Sequence, residues 1–478
     1  MAGLVAGVDC STQATKVLVV DPEDGRVVAE GRAPHEVAGT GGARETHPDV
    51  WWDALRTALA ATGRAADVGA LSVGGQQHGL VVVGADGRAL RPAALWNDTR
   101  SAPDAAALVD DLGGPEVWAR RIGLVPVASF TVTTWAWLRR TEPQVAAAAS
   151  SVRLPHDDLT TRLVGEAVTD RGDASGTGWW STATEAYDDE VLGLDRVRLD
   201  PALLPRVLGP EEPAGEVRPD AAAALGLRAG VRVGPGTGDN MAAALGLGLA
   251  PGQAALSLGT SGTVYAVASR RTEDRTGVVA GFADATGRFL PLACTLNCTL
   301  AVDRLAAWFG VDRAAVEEGG DAVVVPFLDG ERTPDLPGAA GSIVGLRHDT
   351  TPGQVLRSAY EAVVLSLLDA LGQIDTSSGG LADDAPLVLI GGGARGEVYR
   401  RTVGRLSGRA LLVPDAEELV ALGAAAQAAA VLSGEAPDAV ARRWDTMRGL
   451  RIDPVEVDTA TVDRHRATRA ALTELNGG

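Results

Sequence analysis

Lysine is almost absent from this chain. Lys16 is the only one among 478 residues, and every other basic side chain is arginine. Either a bias toward arginine left one lysine by chance, or position 16 calls for a compact, flexible ammonium that a planar guanidinium does not replace. Both readings stay open until the position is placed. Cysteine is scarce as well. Cys10, Cys294 and Cys298 are too few for a disulfide framework, and an odd count suits a reducing compartment. Cys294 and Cys298 could share a helix face, but no Cys/His cluster completes a metal site, so small buried residues are expected. No apolar run is long enough to span a membrane. The opening MAGLVAGVDCSTQ enters a strand pattern with no basic segment before it, so no signal peptide is expected and the cytoplasm is the expected location. Positive charge is in deficit too. A formal net charge of −19 argues against nucleic acid or an anionic membrane as partner, since both are bound through basic surface. Small molecules or other protein chains are the expected partners.

What the chain does contain is an ordinary globular composition, with 46% hydrophobic residues and length enough for two or three domains. It opens as strand, tight loop, strand, turn, strand: LVAGVD, CSTQAT, KVLVV, DPEDG, RVVAEG. The Asp24-Gly25 turn and period-2 apolar spacing predict antiparallel hairpins. Near the middle the layout returns as AALSL, GTSGT, VYAVAS, which suggests an internal duplication and two related α/β domains. Helices are expected over 49–62, 101–111, 131–140, 354–374 and 417–432. VGPGTGDN reads as a loop and strand approaching a domain boundary near Gly238.

The two Gly/Ser/Thr hairpin loops suggest a phosphate clamp, because inward amides and hydroxyls hold anionic oxygens without a helix dipole. Ser11, Thr12 and Gln13 supply the first loop, and Gly259, Thr260, Ser261 and Gly262 the second. Asp9 ends the strand before the first loop, where a carboxylate can hold hydrated Mg²⁺ beside phosphates. Lys16 begins the returning strand, within reach of a bound phosphate. In VGPGTGDNMAAA, Asp239 and Asn240 precede a helix-like run. Asp239 is there either an N-cap or a base that accepts a hydroxyl proton late in a loose phosphoryl-transfer transition state. Gln76, Gln77 and His78 interrupt two strand-like runs, and Trp96, Asn97, Asp98 and Arg100 follow another. The glutamines and the histidine, concentrated at a strand-to-strand junction, supply neutral donors and acceptors that suit the reading of hydroxyls. Asp329, Glu331 and Arg332 fall in a Gly/Pro-bounded loop.

One further stretch, LVLIGGGARGEVYR, offers a different answer. Gly391, Gly393 and Gly396 form G-x-G-x-x-G between a strand and a helix-like run, and Asp415 ends the next strand-like segment, RALLVPD. Alone, this satisfies most of a dinucleotide-binding fingerprint. The same glycine turn also has a purely structural reading, and many nucleotide folds use one for another end of a ligand.

Taken together, GVDCSTQATK, GGQQHG, LWND-x-R, LPHDDL-x-x-RLVGE, SGTGWW, GTGDN, LSLGTSGT, PFLDGERTP and IGGGAR resemble the FGGY family of carbohydrate kinases over nearly the full length. A family signature is matched in full over GSIVGLRHDTTPGQVLRSAYE. Another, FTVTTWAWLRRTEP, departs at Thr134, where the family usually shows lysine. The resemblance implies two RNase H-like α/β domains of the actin/Hsp70/hexokinase type facing an interdomain cleft. Residues 1–238 would bind sugar and carry the first phosphate loop, and residues 239–478 would bind ATP. By the same resemblance Asp239 is the general base, and Asp9 is the acid near Mg²⁺ and phosphate. Gln77 and His78 contact sugar with Asn240 beside them. Gly259 to Gly262 lie on the ATP phosphates, and the first loop, Ser11, Thr12 and Gln13, reads STQ rather than the GTS common elsewhere in the family, with its hydroxyls still available. Gly391, Gly392, Gly393, Ala394 and Arg395 become the adenosine-side turn, and Asp415 a strand-end acid. The implied reaction is ATP-dependent phosphorylation of D-xylulose at its C5 hydroxyl, with ribulose, glycerol or gluconate as sibling substrates. A hinge near Gly236 to Gly238 would close the domains and exclude water. A homodimer is the implied assembly. A nucleotide switch without sugar chemistry is the alternative from another class.

Overall fold

The structure, a computed structural model, describes residues 3–334, 336 and 338–475. Met1 and Ala2 of the opening segment, Asp335 and Pro337 of the FLDGERTPDLPG loop, and the last three residues lie outside the described residues. Packing divides the chain into two units. The first comprises Met1–Leu249, Arg270–Leu290 and Ala416–Thr446, and the second Ala250–Ser269, Pro291–Asp415 and Met447–Gly478. The division expected between residues 238 and 239 is drawn elsewhere by packing. The segment Gly236 to Gly238 is held in the first unit's sheet, and the chain first passes between units at Leu249–Ala250.

The first unit is built on β1 (Leu4–Cys10), β2 (Ala14–Val20), β3 (Val27–Pro34), β4 (Val68–Gly75), β5 (Gly215–Glu216), β6 (Arg232–Val233) and β7 (Thr237–Gly238). The order is β3-β2-β1-β4-β6-β5, with β7 also pairing to β4. β1, β2 and β3 are antiparallel neighbours, as the hairpin signals predict, while β1 and β4 are parallel. β1 is buried along almost its whole length, which is why LVAGVDC reads as a near-continuous apolar run rather than an alternation. One face of the sheet packs on the helices Pro48–Ala61, Pro155–Val164 and Pro219–Leu225 through Val8, Val17, Trp51, Leu55, Leu71 and Leu159.

The helix Leu419–Ser433 returns from late in the chain to this unit and lies against β1 and the helix Asp239–Leu247. The approach is extremely close. A Cβ on Gly7 would stand 1.8 Å from the Ala421 carbonyl oxygen, and one on Gly423 would stand 1.8 Å from that of Ala242. Glycine is therefore required at both positions by space.

The second unit repeats the plan with β8 (Ala254–Leu258), β9 (Gly262–Ala266), β10 (Phe289–Thr295), β11 (Leu387–Ile390), β12 (Leu411–Pro414) and β13 (Gly449–Ile452). They run β10-β9-β8-β11-β12-β13, again with two antiparallel pairings on one side of the first strand and, on the other, parallel pairings to β11 and β12 before an antiparallel β13. This is the expected duplication of an RNase H-like sheet. It also excludes a Rossmann sheet around IGGGARG, since β8 and β9 form an antiparallel hairpin.

The expected helices form with ends shifted by a few residues, as Pro48–Ala61, Ala102–Asp111, Thr131–Thr141 and Pro352–Ser378. The fully matched signature runs from the strand Ser342–Val344 through a loop into the first turns of the last of these. Thr351 and Gln354 form a capping box, and Glu361 is buried between Arg357, Arg405 and His465. Burial alone would raise the Glu361 carboxyl, but its hydrogen bond with His465 and the two guanidiniums outweigh that and hold it below the usual range. No single helix among the described residues is long and apolar enough to cross a membrane. Leu419–Ser433 and Pro437–Trp444 reach that length only as a pair bent by 117°.

Gly7→Ala is expected to cost about 3 kcal/mol or more, because the new methyl meets backbone rather than a yielding side chain. Denaturant unfolding measures this, and a variant of unchanged midpoint would contradict the packing described.

Candidate functional site

Strand register brings the predicted residues of the first unit to one sheet edge. In β1 and β4, Asp9 is level with Gly74 and Cys10 with Gly75; in β7, Thr237 is level with Gly74 and Gly238 with Gly75. The C-terminal ends of three parallel strands therefore align. Asp9 stands at the first end, Gln76 to His78 follow the second, and Asp239 follows the third. Ligands of open α/β sheets bind at such ends.

Asp239 opens the helix Asp239–Leu247 and Asn240 locks its carboxylate. The Asn240 backbone amide donates to Asp239 Oδ1 at 2.8 Å and its Nδ2 donates to the same oxygen at 2.9 Å. Asn240 Nδ2 also donates to Gln77 Oε1 at 3.0 Å, so the two predicted sugar contacts are joined directly to the predicted base. Gln77 Nε2 is buried and finds no acceptor among the described residues, which leaves a donor for a ligand oxygen. His78 takes a left-handed backbone (φ 68°), shares a 2.9 Å hydrogen bond between Nδ1 and the Gly176 carbonyl, and packs edge-on to Phe130. Its ring is thus fixed.

Burial, and next the nearby Asp9 carboxylate, raise the Asp239 pKa to about 7, against the opposing donors of Asn240. Asp9 is itself 3% exposed and is raised by burial to about 6, although Ser11 Oγ donates to it at 2.5 Å.

The lone lysine now has a place. Lys16 is the cross-strand partner of Asp9 in the β1–β2 hairpin, and its Nζ lies 3.8 Å from Asp9 and 2.5 Å from Glu418. A compact ammonium bridges these two carboxylates. Glu418 was expected to be helical. Its left-handed backbone (φ 53°) instead ends the turn before Leu419. No local sequence signal ties it to position 16.

The first loop is less open than its composition suggests. The Ser11 hydroxyl is used on Asp9, and Thr12 Oγ1 accepts from Trp96 Nε1 at 3.0 Å. The Gln13 side chain is exposed, and its carbonyl accepts from the His35 amide. Asp98 and Arg100 pair with each other and Arg100 with Glu45, with the guanidinium 4.3 Å from the Trp137 ring, so this part of LWNDTR fastens the fold.

In the second unit, Gly259 to Gly262 joins β8 to β9, and Gly391 to Arg395 follows β11. Ser257 is level with Ile390, so the two loops leave adjoining strand ends. Gly391 has φ 82°, and a Cβ there would stand 3.0 Å from the Leu258 carbonyl oxygen; one on Gly393 would stand 2.8 Å from Leu258 Cβ. Both glycines are needed for this approach. The carbonyls of Gly259 and Thr260 accept from the amides of Thr299 and Leu300 at the start of the helix Thr299–Phe309. Gly392 to Arg395 form a 3₁₀ turn with Ala394 buried and Arg395 exposed. Asp415 closes β12 and donates its amide to the Arg448 carbonyl, a strand-end position as expected. Glu331 is 1% exposed and accepts from the Leu296 amide and Asn297, fastening a loop. Thr134 is 4% exposed inside the helix Thr131–Thr141, a position with no room for a solvated ammonium.

Sequence reasoning assigned nothing to His156, Asp170 and Asp173 individually. They form a fully buried ionic cluster beside Thr237. Several acids within LPHDDLTTRLVGEAVTDRGD are the signal that could have indicated it.

The FGGY family of carbohydrate kinases, N-terminal domain, matches residues 4–246, and its C-terminal domain matches 254–432. The chain is 61% identical to the xylulose kinase of Streptomyces coelicolor over 96% of this chain and 95% of that one. It is 60% identical to the xylulose kinase of Streptomyces rubiginosus over the same shares. The crystal structure of xylulose kinase from Bifidobacterium adolescentis is similar with a TM-score of 0.84 at 36% identity, covering 98% of this chain and 99% of that one.

The raised Asp239 pKa has a sign that can be tested without substrate. Its folded-state value lies above the unfolded one, so the folded state binds the extra proton between about pH 4 and 7, and stability falls as pH rises through that window. Asp239→Asn, which removes the charge, is expected to melt about 2–5 °C higher than the wild type at pH 8 and no higher at pH 4. Thermal melts at both pH values check this, and equal gains at both would contradict it.

Proposed function

The chain belongs to the FGGY family of carbohydrate kinases, and we propose that it phosphorylates D-xylulose at the C5 hydroxyl with ATP. The observation that carries the substrate is the 61% identity to a xylulose kinase over 96% of the chain. Asp239 is the base. Its hydrogen bonds to Asn240 fix the carboxylate, and its pKa of about 7 suits a base that works near neutrality. Gln77, His78 and Asn240 read the sugar hydroxyls, for which the unpaired Gln77 Nε2 and the fixed imidazole are suited. Gly259, Thr260, Ser261 and Gly262 hold the ATP phosphates and Gly391 to Arg395 the adenosine side. Ser11, Thr12, Gln13 and Lys16 complete the phosphate contacts, with Lys16 exchanging a carboxylate partner for a phosphate oxygen.

Mg²⁺ is expected with ATP. Among the described residues no group of three or more His, Cys, Asp or Glu forms a protein cage for it. A single buried carboxylate, Asp9, fits the ion's habit of keeping its waters and using one or two carboxylates plus substrate phosphates. The ion would neutralise charge on the transferring phosphoryl group. The same reading places the enzyme in the cytoplasm as a homodimer, with neither nucleic acid nor membrane as partner.

A coupled ADP-release assay over D-xylulose, D-ribulose, glycerol and gluconate tests this. Turnover is expected to be greatest with D-xylulose and to fall at least about 10³-fold in Asp239→Asn, through loss of a positioned base and its electrostatics. Near-normal turnover in that variant would remove Asp239 from the role. ATP hydrolysis that no sugar accelerates would favour the nucleotide switch instead.

A further inference from the structure

The helix Pro155–Val164 buries His156 completely, at 0% exposure, among Asp157 (1%), Asp170 (4%) and Asp173 (0%). Its Nε2 lies 3.2 Å from Asp157, 3.4 Å from Asp170 and 3.3 Å from Asp173. Burial alone would lower the imidazole pKa, but the three carboxylates outweigh it and raise it to about 9, so the ring is a cation at neutral pH. Burial drives the Asp173 carboxyl well above the usual carboxylate range, beyond what His156 offsets. A buried arrangement of this kind is a poor way to gain stability, since apolar side chains of similar volume usually do as well or better. Its connections suggest what it does instead.

Three segments that bear site residues meet at this cluster. Asp170 Oδ2 accepts from Thr237 Oγ1 at 2.7 Å, two residues before Asp239. His156 packs on backbone at the end of β4, where a Cβ on Gly75 would stand 2.9 Å from His156 Cβ, two residues before Gln77. A Cβ on Gly236 would stand 2.7 Å from His156 Nδ1. Asp170 also caps the short helix Arg171–Ser175 through the amides of Gly172 and Asp173, and the next carbonyl, that of Gly176, holds the His78 ring.

We propose that His156 is a positioning residue for phosphoryl transfer, holding Asp170 so that Thr237 fixes the backbone of Asp239 in register with the strand end carrying Gln77 and His78. The proposal rests on the function given above. Misplacement of a base by about 1 Å can cost about 10²-fold in rate, so the effect falls on kcat and spares nucleotide binding.

The test compares wild type, Asp239→Asn, His156→Gln, Thr237→Val and Thr237→Ser with D-xylulose and ATP, and records melting midpoints. Thr237→Val keeps the side-chain shape and deletes only the hydroxyl that reaches Asp170. Its kcat is expected to fall about 10- to 100-fold with the KM for ATP and the melting midpoint near wild type, and Thr237→Ser is expected to restore most of the rate. His156→Gln is expected to lose at least as much kcat; if it does not fold, the Thr237 pair decides. A Thr237→Val enzyme with wild-type kcat beside an inactive Asp239→Asn overturns this proposal alone. Equal losses in the valine and serine variants overturn it as well. A wild type without sugar-dependent turnover, or an active Asp239→Asn, overturns the underlying function and the proposal with it.

Discussion

At Gly7, Gly246 and Gly423 a Cβ atom would stand 1.8 to 2.1 Å from a backbone carbonyl oxygen. Those three positions set how closely the helix Leu419–Ser433 approaches β1 and the helix Asp239–Leu247. The consequences collect at one end of the packed elements. β1 ends at the site with Asp9, the second helix begins there with Asp239, and the residue before the first helix is Glu418, whose carboxylate meets Lys16. With larger residues at the crossings the helices would stand apart, and the strand and helix ends that bear charge would lose their common level.

Closeness has an electrostatic cost. Asp9 is near enough to Asp239 to resist its ionisation, Glu418 does the same to Asp9, and burial raises both. A protein selected for stability alone would not keep two such acids together. Perturbed groups of this kind concentrate where chemistry is done. Lys16 offsets part of the charge, and the absence of lysine elsewhere in the chain makes that one ammonium conspicuous.

Much of this was legible in the sequence because it is local. The LVAGVDCSTQATKVLVV hairpin fixes Asp9 opposite Lys16 by strand pairing alone, and a short loop at a strand-to-strand junction leaves few other registers. GTGDN gave the helix start at Asp239, and the repeated hairpin gave the duplicated sheet. Long-range pairings were not legible. An Ala-rich run such as LVALGAAAQAAA is apolar on every side, so its pattern does not say which sheet it covers, and the return of Ala416–Thr446 to the first unit went unread. Glu418 meets a partner 402 residues away. His156 and its acids drew no assignment, because nothing in their spacing shows that a whole cluster is enclosed. The glycine fingerprint at Gly391 was misleading for the same reason: it records a tight turn after a strand whose two neighbours are parallel, and only the antiparallel β8–β9 hairpin farther along the sheet distinguishes it from a Rossmann one.

The central claim is that the aligned ends of β1, β4 and β7 form the place where a sugar hydroxyl meets its base. A crystal structure of the wild-type enzyme with D-xylulose bound tests it most directly. The account predicts the C5 hydroxyl within about 2.6–3.2 Å of an Asp239 carboxylate oxygen, with the sugar's other hydroxyls on Gln77 and His78. A sugar bound with none of these three side chains in contact would contradict it.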